Sequence, residues 1–284
     1  MKIISISLDK KIFEGNSAAR QRQIEYGKLC EYMHIIAPGK SGVASKCRRD
    51  NLSEKVAAYE VSGNNFKRFF GAYKLAKKII AKEKIDLITA QDPFATGLLG
   101  WLLKRKFSIQ LQLQIHTDLL SPHFKKESIK NRIFVLLAKF LIPKADGLRV
   151  VSERIKKSFV LCFKFYIPRI FVLPIFVDAE KIRRAPLNID LRKKYPQFDF
   201  IILMALRFSR EKNIGLAIDA MAEVVRKYNK IGLIIVGEGV EKKNIELKIK
   251  NLGLENNVIL EKWNNDLVSY YKSADLLLDR KSVV

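Results

Sequence analysis

Leu203-Met204-Ala205-Leu206-Arg207-Phe208-Ser209-Arg210-Glu211-Lys212-Asn213 leaves an apolar run and enters a segment of helical period. That handover sets the fold class, because a strand feeding a helix is the repeating unit of a parallel sheet with crossover helices. Upstream, Phe200 to Ala205 reads as a strand. Downstream, Ile214, Ile218, Met221, Val225 and Tyr228 fall on one face of a helix expected over Ile214 to Tyr228, and that face is expected core. A strand at Gly232 to Val236, a helix at Val240 to Leu252 and a strand at Val258 to Leu260 continue the pattern, and Leu276-Leu277-Leu278 begins a fourth strand.

The first half alternates in the same way. Strands are expected at Ile3 to Leu8, Ile35 to Ala37, Leu87 to Ala90, Ile109 to Leu113 and Gly147 to Val151. A helix is expected over Phe66 to Lys82, and Pro93 reads as the first residue of another reaching Leu103. Between the halves, Asp178 to Pro196 is rich in charge and proline with no long periodic run. The sequence therefore predicts an α/β protein of two Rossmann-like domains, 1–178 and 179–284. A doubly wound sheet needs roughly five or six strands, so the second domain is expected to be incomplete and the natural product longer. The closing run Asp279-Arg280-Lys281-Ser282-Val283-Val284 reads as translated adapter sequence rather than protein.

Composition narrows the class. Three cysteines, Cys30, Cys47 and Cys162, form no CxxC pair, so neither a disulfide framework nor a zinc site is indicated. The N-terminus lacks the pattern of a signal peptide, and a cytoplasmic location is expected. The most membrane-like stretch, Phe159 to Val177, contains Lys164, Pro168, Arg169 and Pro174 and is expected to be a buried strand with its flanks. The net charge of +24 lies mostly before residue 179 and calls for an anionic partner or a solvated surface. No RNP-like aromatics, zinc spacing or KH-type GxxG loop supports nucleic-acid binding. Between Lys125 and Lys144, Ile129, Ile133, Leu136, Leu137, Phe140 and Leu141 form one apolar face, with Lys126, Lys130, Arg132 and Lys139 placed toward water. That segment is either a packed helix with a solvated rim or a peripheral docking helix for anionic lipid at the inner membrane face.

Chemistry is expected where the opening stretch turns. Arg207 and Lys212 flank a helix N-terminus, an arrangement that suits a diphosphate. The alternative is that both cations are solvated or paired with Glu211. Gly237 and Gly239, around Glu238 at the end of a strand, would let the backbone approach a nucleotide or would form a plain strand-to-helix turn.

Arg207-x-x-x-Glu211-Lys212, Val236-Gly237-Glu238-Gly239, Trp263 and Tyr270-Tyr271-Lys272-Ser273-Ala274-Asp275 together resemble, in order and spacing, the donor domain of glycosyltransferase family 4. The resemblance implies the GT-B fold of two facing Rossmann-like domains. It implies an enzyme that transfers a sugar from a nucleoside diphosphate with retention, using neither metal nor cofactor. Arg207 and Lys212 match the residues that neutralise the leaving diphosphate. Gly237, Glu238, Gly239 and Trp263 match the nucleotide-binding positions, although Trp263 is equally a core or surface aromatic. Gln114-Ile115-His116-Thr117-Asp118 resembles the segment facing the donor sugar and makes His116 the expected catalytic contact, whereas a lone histidine is structural by default. The loop Phe13-Glu14-Gly15-Asn16-Ser17 lies where the family has a glycine-rich acceptor loop, which assigns acceptor contacts to Gly15, Asn16 and Arg20; it has one glycine rather than two. The family's acidic pair is expected just after Leu278 and is absent. The acceptor is expected to be a glycan or a lipid-linked sugar. The rival readings are a sugar-nucleotide epimerase of the same fold and a basic module that binds nucleic acid or membrane.

Overall fold

The computed structural model describes residues 1–38, 48–163, 169–175 and 177–279. Cys47, residues 164–168 of the membrane-like stretch and residues 280–284 of the closing run lie outside the described residues. The chain divides into two compact units, Met1–Ile175 and Phe176–Val284.

Unit 1 begins with β1 (Lys2–Ile6), α1 (Ala18–Gly27), β2 (Tyr32–Pro38), β3 (Arg48–Ser53), β4 (Val56–Val61) and α2 (Asn65–Lys82). It continues through β5 (Leu87–Ala90), α3 (Ala95–Phe107), β6 (Gln110–Ile115), α4 (Pro122–Glu127), α5 (Ile129–Leu141), β7 (Gly147–Val150), α6 (Glu153–Phe163) and β8 (Arg169–Val172). The sheet order is β3-β4-β2-β1-β5-β6-β7-β8, parallel throughout except for the antiparallel β3. One face buries Ile4, Ile6, Ile88, Leu111, Leu113, Leu148 and Val150 against apolar residues of α2, α3, α5 and α6. On the other face α1 covers a smaller cluster that includes Met33, Ile35, Val56 and Ala58. Chain order reverses between β1 and β5, so loops leaving their carboxyl ends diverge and leave room for a ligand.

Several local expectations change. The β3–β4 hairpin was not predicted: Arg48-Arg49-Asp50-Asn51 is too polar to read as a strand, and it survives as one because it lies at the sheet edge. Pro93 stands in a turn, and the helix starts at Ala95. There Asp92 Oδ1 accepts from Phe94 N at 2.7 Å and from Thr96 N at 3.3 Å, so the cap sets the start. Of the stretch read as one buried strand, 159–163 closes α6, while β8 is a half-exposed edge strand. α5 has two apolar faces rather than one. Val135, Ala138 and Leu141 are buried, whereas Ile129, Ile133, Leu136 and Phe140 are 75%, 58%, 68% and 47% exposed.

Unit 2 contains α7 (Ala179–Arg184), α8 (Leu191–Lys194), β9 (Phe200–Ala205), α9 (Ile214–Lys227), β10 (Ile231–Val236), α10 (Lys242–Asn251), β11 (Val258–Glu261), α11 (Leu267–Ser273) and β12 (Leu276–Leu277). Its four parallel strands run in the order β11-β10-β9-β12. Ile214, Ile218 and Met221 of α9 are buried against Leu233 and Ile235, as their spacing predicts. Tyr228 is 53% exposed because the helix ends before it. The motif at Tyr270 to Asp275 anchors the sheet: Tyr270 is buried, and Asp275 Oδ2 accepts from Ile201 N at 2.8 Å at the start of β9.

Candidate functional site

In unit 2 the loops leaving β9, β10 and β11 are tied together by backbone hydrogen bonds. Leu206 N donates to Val236 O at 3.0 Å and Phe208 N to Glu238 O at 2.9 Å. Glu241 N returns to Phe208 O at 3.1 Å, and Gly237 N donates to Glu261 O at 3.0 Å. This lattice explains both glycines. A Cβ on Gly237 would lie 1.9 Å from Leu206 O, and one on Gly239 would lie 2.2 Å from Phe208 O. Their small size is required by the neighbouring loop, whatever else binds there.

Arg207 leaves this lattice exposed, and Lys212 ends a short 3₁₀ turn, Arg210–Lys212, before Asn213 adopts φ of 43° and α9 begins. Among the described residues neither Arg207 nor Lys212 pairs with an acid, and Glu211 does not reach them. Arg210 is the cation that does pair, with Glu241 at 3.2 Å. A cavity of about 250 Å³ beside this turn is lined by Ser209, Arg210, Asn213 and Asn244, but not by Arg207 or Lys212. Glu238 and Trp263 are exposed, the latter just past β11. The structure thus brings Arg207, Lys212, Gly237, Glu238, Gly239 and Trp263 to the carboxyl ends of three adjacent strands.

Sequence reasoning missed the clamp beneath them. Glu261 closes β11, and its carboxylate accepts from Tyr195 OH at 2.5 Å, Tyr270 OH at 2.6 Å and Lys194 Nζ at 2.7 Å. Burial opposes its charge, but these three donors outweigh burial and hold Glu261 below the usual carboxylate range. Despite its own partial burial, Lys194 is carried to about 12 by Glu261. The backbone of the same residue holds Gly237. The visible signal was an acid ending the apolar run Val258-Ile259-Leu260.

In unit 1 the expected acceptor residues are placed less tightly. Gly15 and Asn16 are exposed, and no atom lies within 4 Å of where a Gly15 side chain would start. Arg20 is committed to Asp50 of β3 at 2.7 Å. Ser17 Oγ caps α1 by accepting from Arg20 N at 3.0 Å. His116 lies one residue beyond β6, which runs on to Ile115. Partial burial, then the positive charges of Arg149 and Arg22, hold it below the ordinary imidazole value. Neither arginine was among the predicted site residues.

The model described as Glycosyltransferase Family 4 matches residues 32–181, and that described as Glycosyl transferases group 1 matches 189–278. The chain belongs to glycosyltransferase family 4. The alpha-monoglucosyldiacylglycerol synthase of Streptococcus pneumoniae is 25% identical over 220 residues, covering 74% of this chain and 49% of that protein. The chain spans about half the length of the curated relatives it matches. Among solved structures, sucrose-phosphate synthase from Thermosynechococcus elongatus aligns with TM-score 0.70 at 17% identity, over 97% of this chain and 74% of that one. Anabaena HepE in complex with UDP-glucose aligns with TM-score 0.64 at 17% identity, over 98% and 73%. These structures establish the GT-B fold.

The loop lattice predicts an asymmetry between glycines. Gly237→Ala should destabilise the protein by about 3 kcal/mol, because the new methyl meets backbone that cannot retreat. Gly15→Ala should change stability by less than about 0.5 kcal/mol. Urea unfolding monitored by circular dichroism reads both; equal effects would contradict the lattice.

Proposed function

We propose that the chain carries the donor-binding and acceptor-side parts of a glycosyltransferase that moves a sugar from a nucleoside diphosphate to a glycan or lipid-linked acceptor, with retention of configuration. The observation that carries this reading is the pair of cations, Arg207 and Lys212, without acidic partners among the described residues, on a loop whose path is fixed by backbone contacts. A charge pair about 4 Å apart is worth about 4 kcal/mol at an effective dielectric near 20, whereas the N-terminus of α9 adds about 0.3 to 1 kcal/mol. The side chains therefore dominate. Negative charge grows on the departing diphosphate as the glycosidic bond breaks, so cations preorganised there act on the barrier rather than on ground-state binding alone. This assigns to two side chains the neutralisation that a metal performs in other transferases. His116, kept neutral near pH 7, is suited to hydrogen-bond the transferred sugar without adding charge. Trp263 and the Gly237–Gly239 turn are assigned to the nucleoside.

The structural relative bound to UDP-glucose supports a nucleotide-sugar donor. The alpha-monoglucosyldiacylglycerol synthase supports a lipid acceptor. The exposed stripe of α5 gives that acceptor a route. Ile129, Ile133, Leu136 and Phe140 project from one side of the helix, and Lys126, Lys130, Arg132 and Lys139 are exposed around them. No described helix is long and apolar enough to cross a membrane. The stripe is assigned to peripheral contact with anionic lipid.

Two measurements follow. In calorimetric titration with UDP and other nucleoside diphosphates, Arg207→Ala and Lys212→Ala should each weaken the preferred ligand by about 10- to 100-fold. Unchanged affinity in both variants would move the site elsewhere. In vesicle flotation, recovery should rise with the anionic lipid fraction and fall about tenfold in Ile133→Ser/Leu136→Ser, since two apolar anchors are lost. Equal recovery on neutral and anionic vesicles would remove the membrane contact.

A further inference from the structure

The two faces of the sheet in unit 1 differ in character. Ile88, Leu111, Leu113, Leu148 and Val150 point into the main core. The residues alternating with them are Thr89, Gln112, Gln114 and Arg149, and strand register sets them side by side, with Thr89 opposite Gln112 and Gln114 opposite Arg149. They form one hydrogen-bonded row. Thr89 Oγ1 donates to Gln112 Oε1 at 3.2 Å, Gln114 Nε2 donates to Thr89 Oγ1 at 2.9 Å, and Arg149 Nη1 donates to Gln114 Oε1 at 3.3 Å.

That row ends in a charge that no described acid pairs with. Arg149 is half-buried, its Nε is closed off from solvent with no hydrogen-bond partner, and no acid pairs with it among the described residues. Asp118, two residues past His116, is engaged at Oδ2 by Ser158 Oγ at 3.3 Å and Arg154 at 3.6 Å, while its Oδ1 is buried without a hydrogen-bond partner. A guanidinium removed from water and left unneutralised weakens a fold, and an apolar residue of similar size would serve packing better. Its position suggests what it is kept for. Arg149 lies one residue from the carboxyl end of β7, and Gln114 beside it is followed two residues later by His116, beyond the end of β6. Arg22 projects from α1, the helix on this same face, and its charge and that of Arg149 both act on the His116 ring. Carboxyl ends of parallel strands are where open sheets bind ligands.

We infer that Arg149 receives a phosphate group carried by the acceptor, next to His116 at the carboxyl ends of β6 and β7. This rests on the transferase reading, in which the donor's diphosphate has its own cations in Arg207 and Lys212. The acceptor class is then a phosphate-bearing one, such as a lipid phosphate or a sugar phosphate, with the planar guanidinium offering paired N–H donors to two phosphate oxygens.

The test uses the whole chain and two probes, glycerol 3-phosphate for the acceptor and UDP for the donor. Arg149→Met should weaken glycerol 3-phosphate by about tenfold or more and leave UDP within about twofold. Arg149→Lys should fall between Met and the parent. Arg226→Gln, which removes one exposed charge from α9, should leave both probes unchanged and so controls for the general positive field. Without ligand, Arg149→Met should unfold at the same temperature as the parent or higher, because it removes an uncompensated charge. A lower unfolding temperature or failure to fold would make Arg149 structural and overturn the inference. So would unchanged glycerol 3-phosphate affinity, or an equal loss in Arg226→Gln. A parallel loss of UDP in Arg149→Met would assign the phosphate to the donor and overturn the acceptor assignment. Failure of the transferase reading shows separately, as UDP binding indifferent to Arg207→Ala and Lys212→Ala.

Discussion

The structure of unit 2 depends on one close approach, that of the Leu206–Phe208 backbone to the Gly237–Glu241 turn. Two β-carbons are missing where two carbonyl oxygens pass, and four backbone hydrogen bonds hold the loops in register. Buried backbone groups that would otherwise go unsatisfied are paired in this way, so the loops are as fixed as the strands they leave. Arg207 stands on this rigid base. A charged side chain presented from fixed backbone loses little freedom on meeting an anion, which is what preorganised charge stabilisation requires.

The Glu261 clamp secures the same edge from below. Two phenolic hydroxyls and an ammonium converge on one carboxylate from α8 and α11, while the backbone carbonyl of that residue holds Gly237. The clamp has a defined pH range. Glu261 titrates below its ordinary value of 4.5, so its stabilisation is complete above that value and is lost as pH falls below it. Lys194 is raised to about 12, so its share is complete below 10.5 and is lost as pH rises toward 12. Acid therefore loosens the side-chain clamp at the end of β11.

Much of this was legible in the sequence for a physical reason. Parallel strands in a covered sheet are short apolar runs, and β9 was read to its observed ends. The β3–β4 hairpin escaped because an edge strand need not be apolar. Tyr228 and Pro93 were misplaced because caps, set by single hydrogen bonds, decide where helices end. Periodicity found the apolar residues of α5 but not that they occupy two faces, since spacing does not say which side has a neighbour. For the site, residue types pointed to Arg207 and Lys212, and the alternative pairing with Glu211 is not what forms. The glycines were read either as a close approach to a nucleotide or as a plain strand-to-helix turn, and the first thing they accommodate is the adjacent loop. Arg149 and Glu261 could not be found from spacing, because all their partners here but Tyr270 lie 35 to 67 residues away.

The central claim is that Arg207 and Lys212, which pair with no acid among the described residues, are placed to take a diphosphate. A crystal structure of this chain with UDP tests it most directly. The account predicts phosphate oxygens within hydrogen-bonding distance of the Arg207 guanidinium and the Lys212 ammonium, with the Leu206–Phe208 loop unmoved. Diphosphate density elsewhere, or either cation turned to a protein carboxylate in the complex, would contradict it.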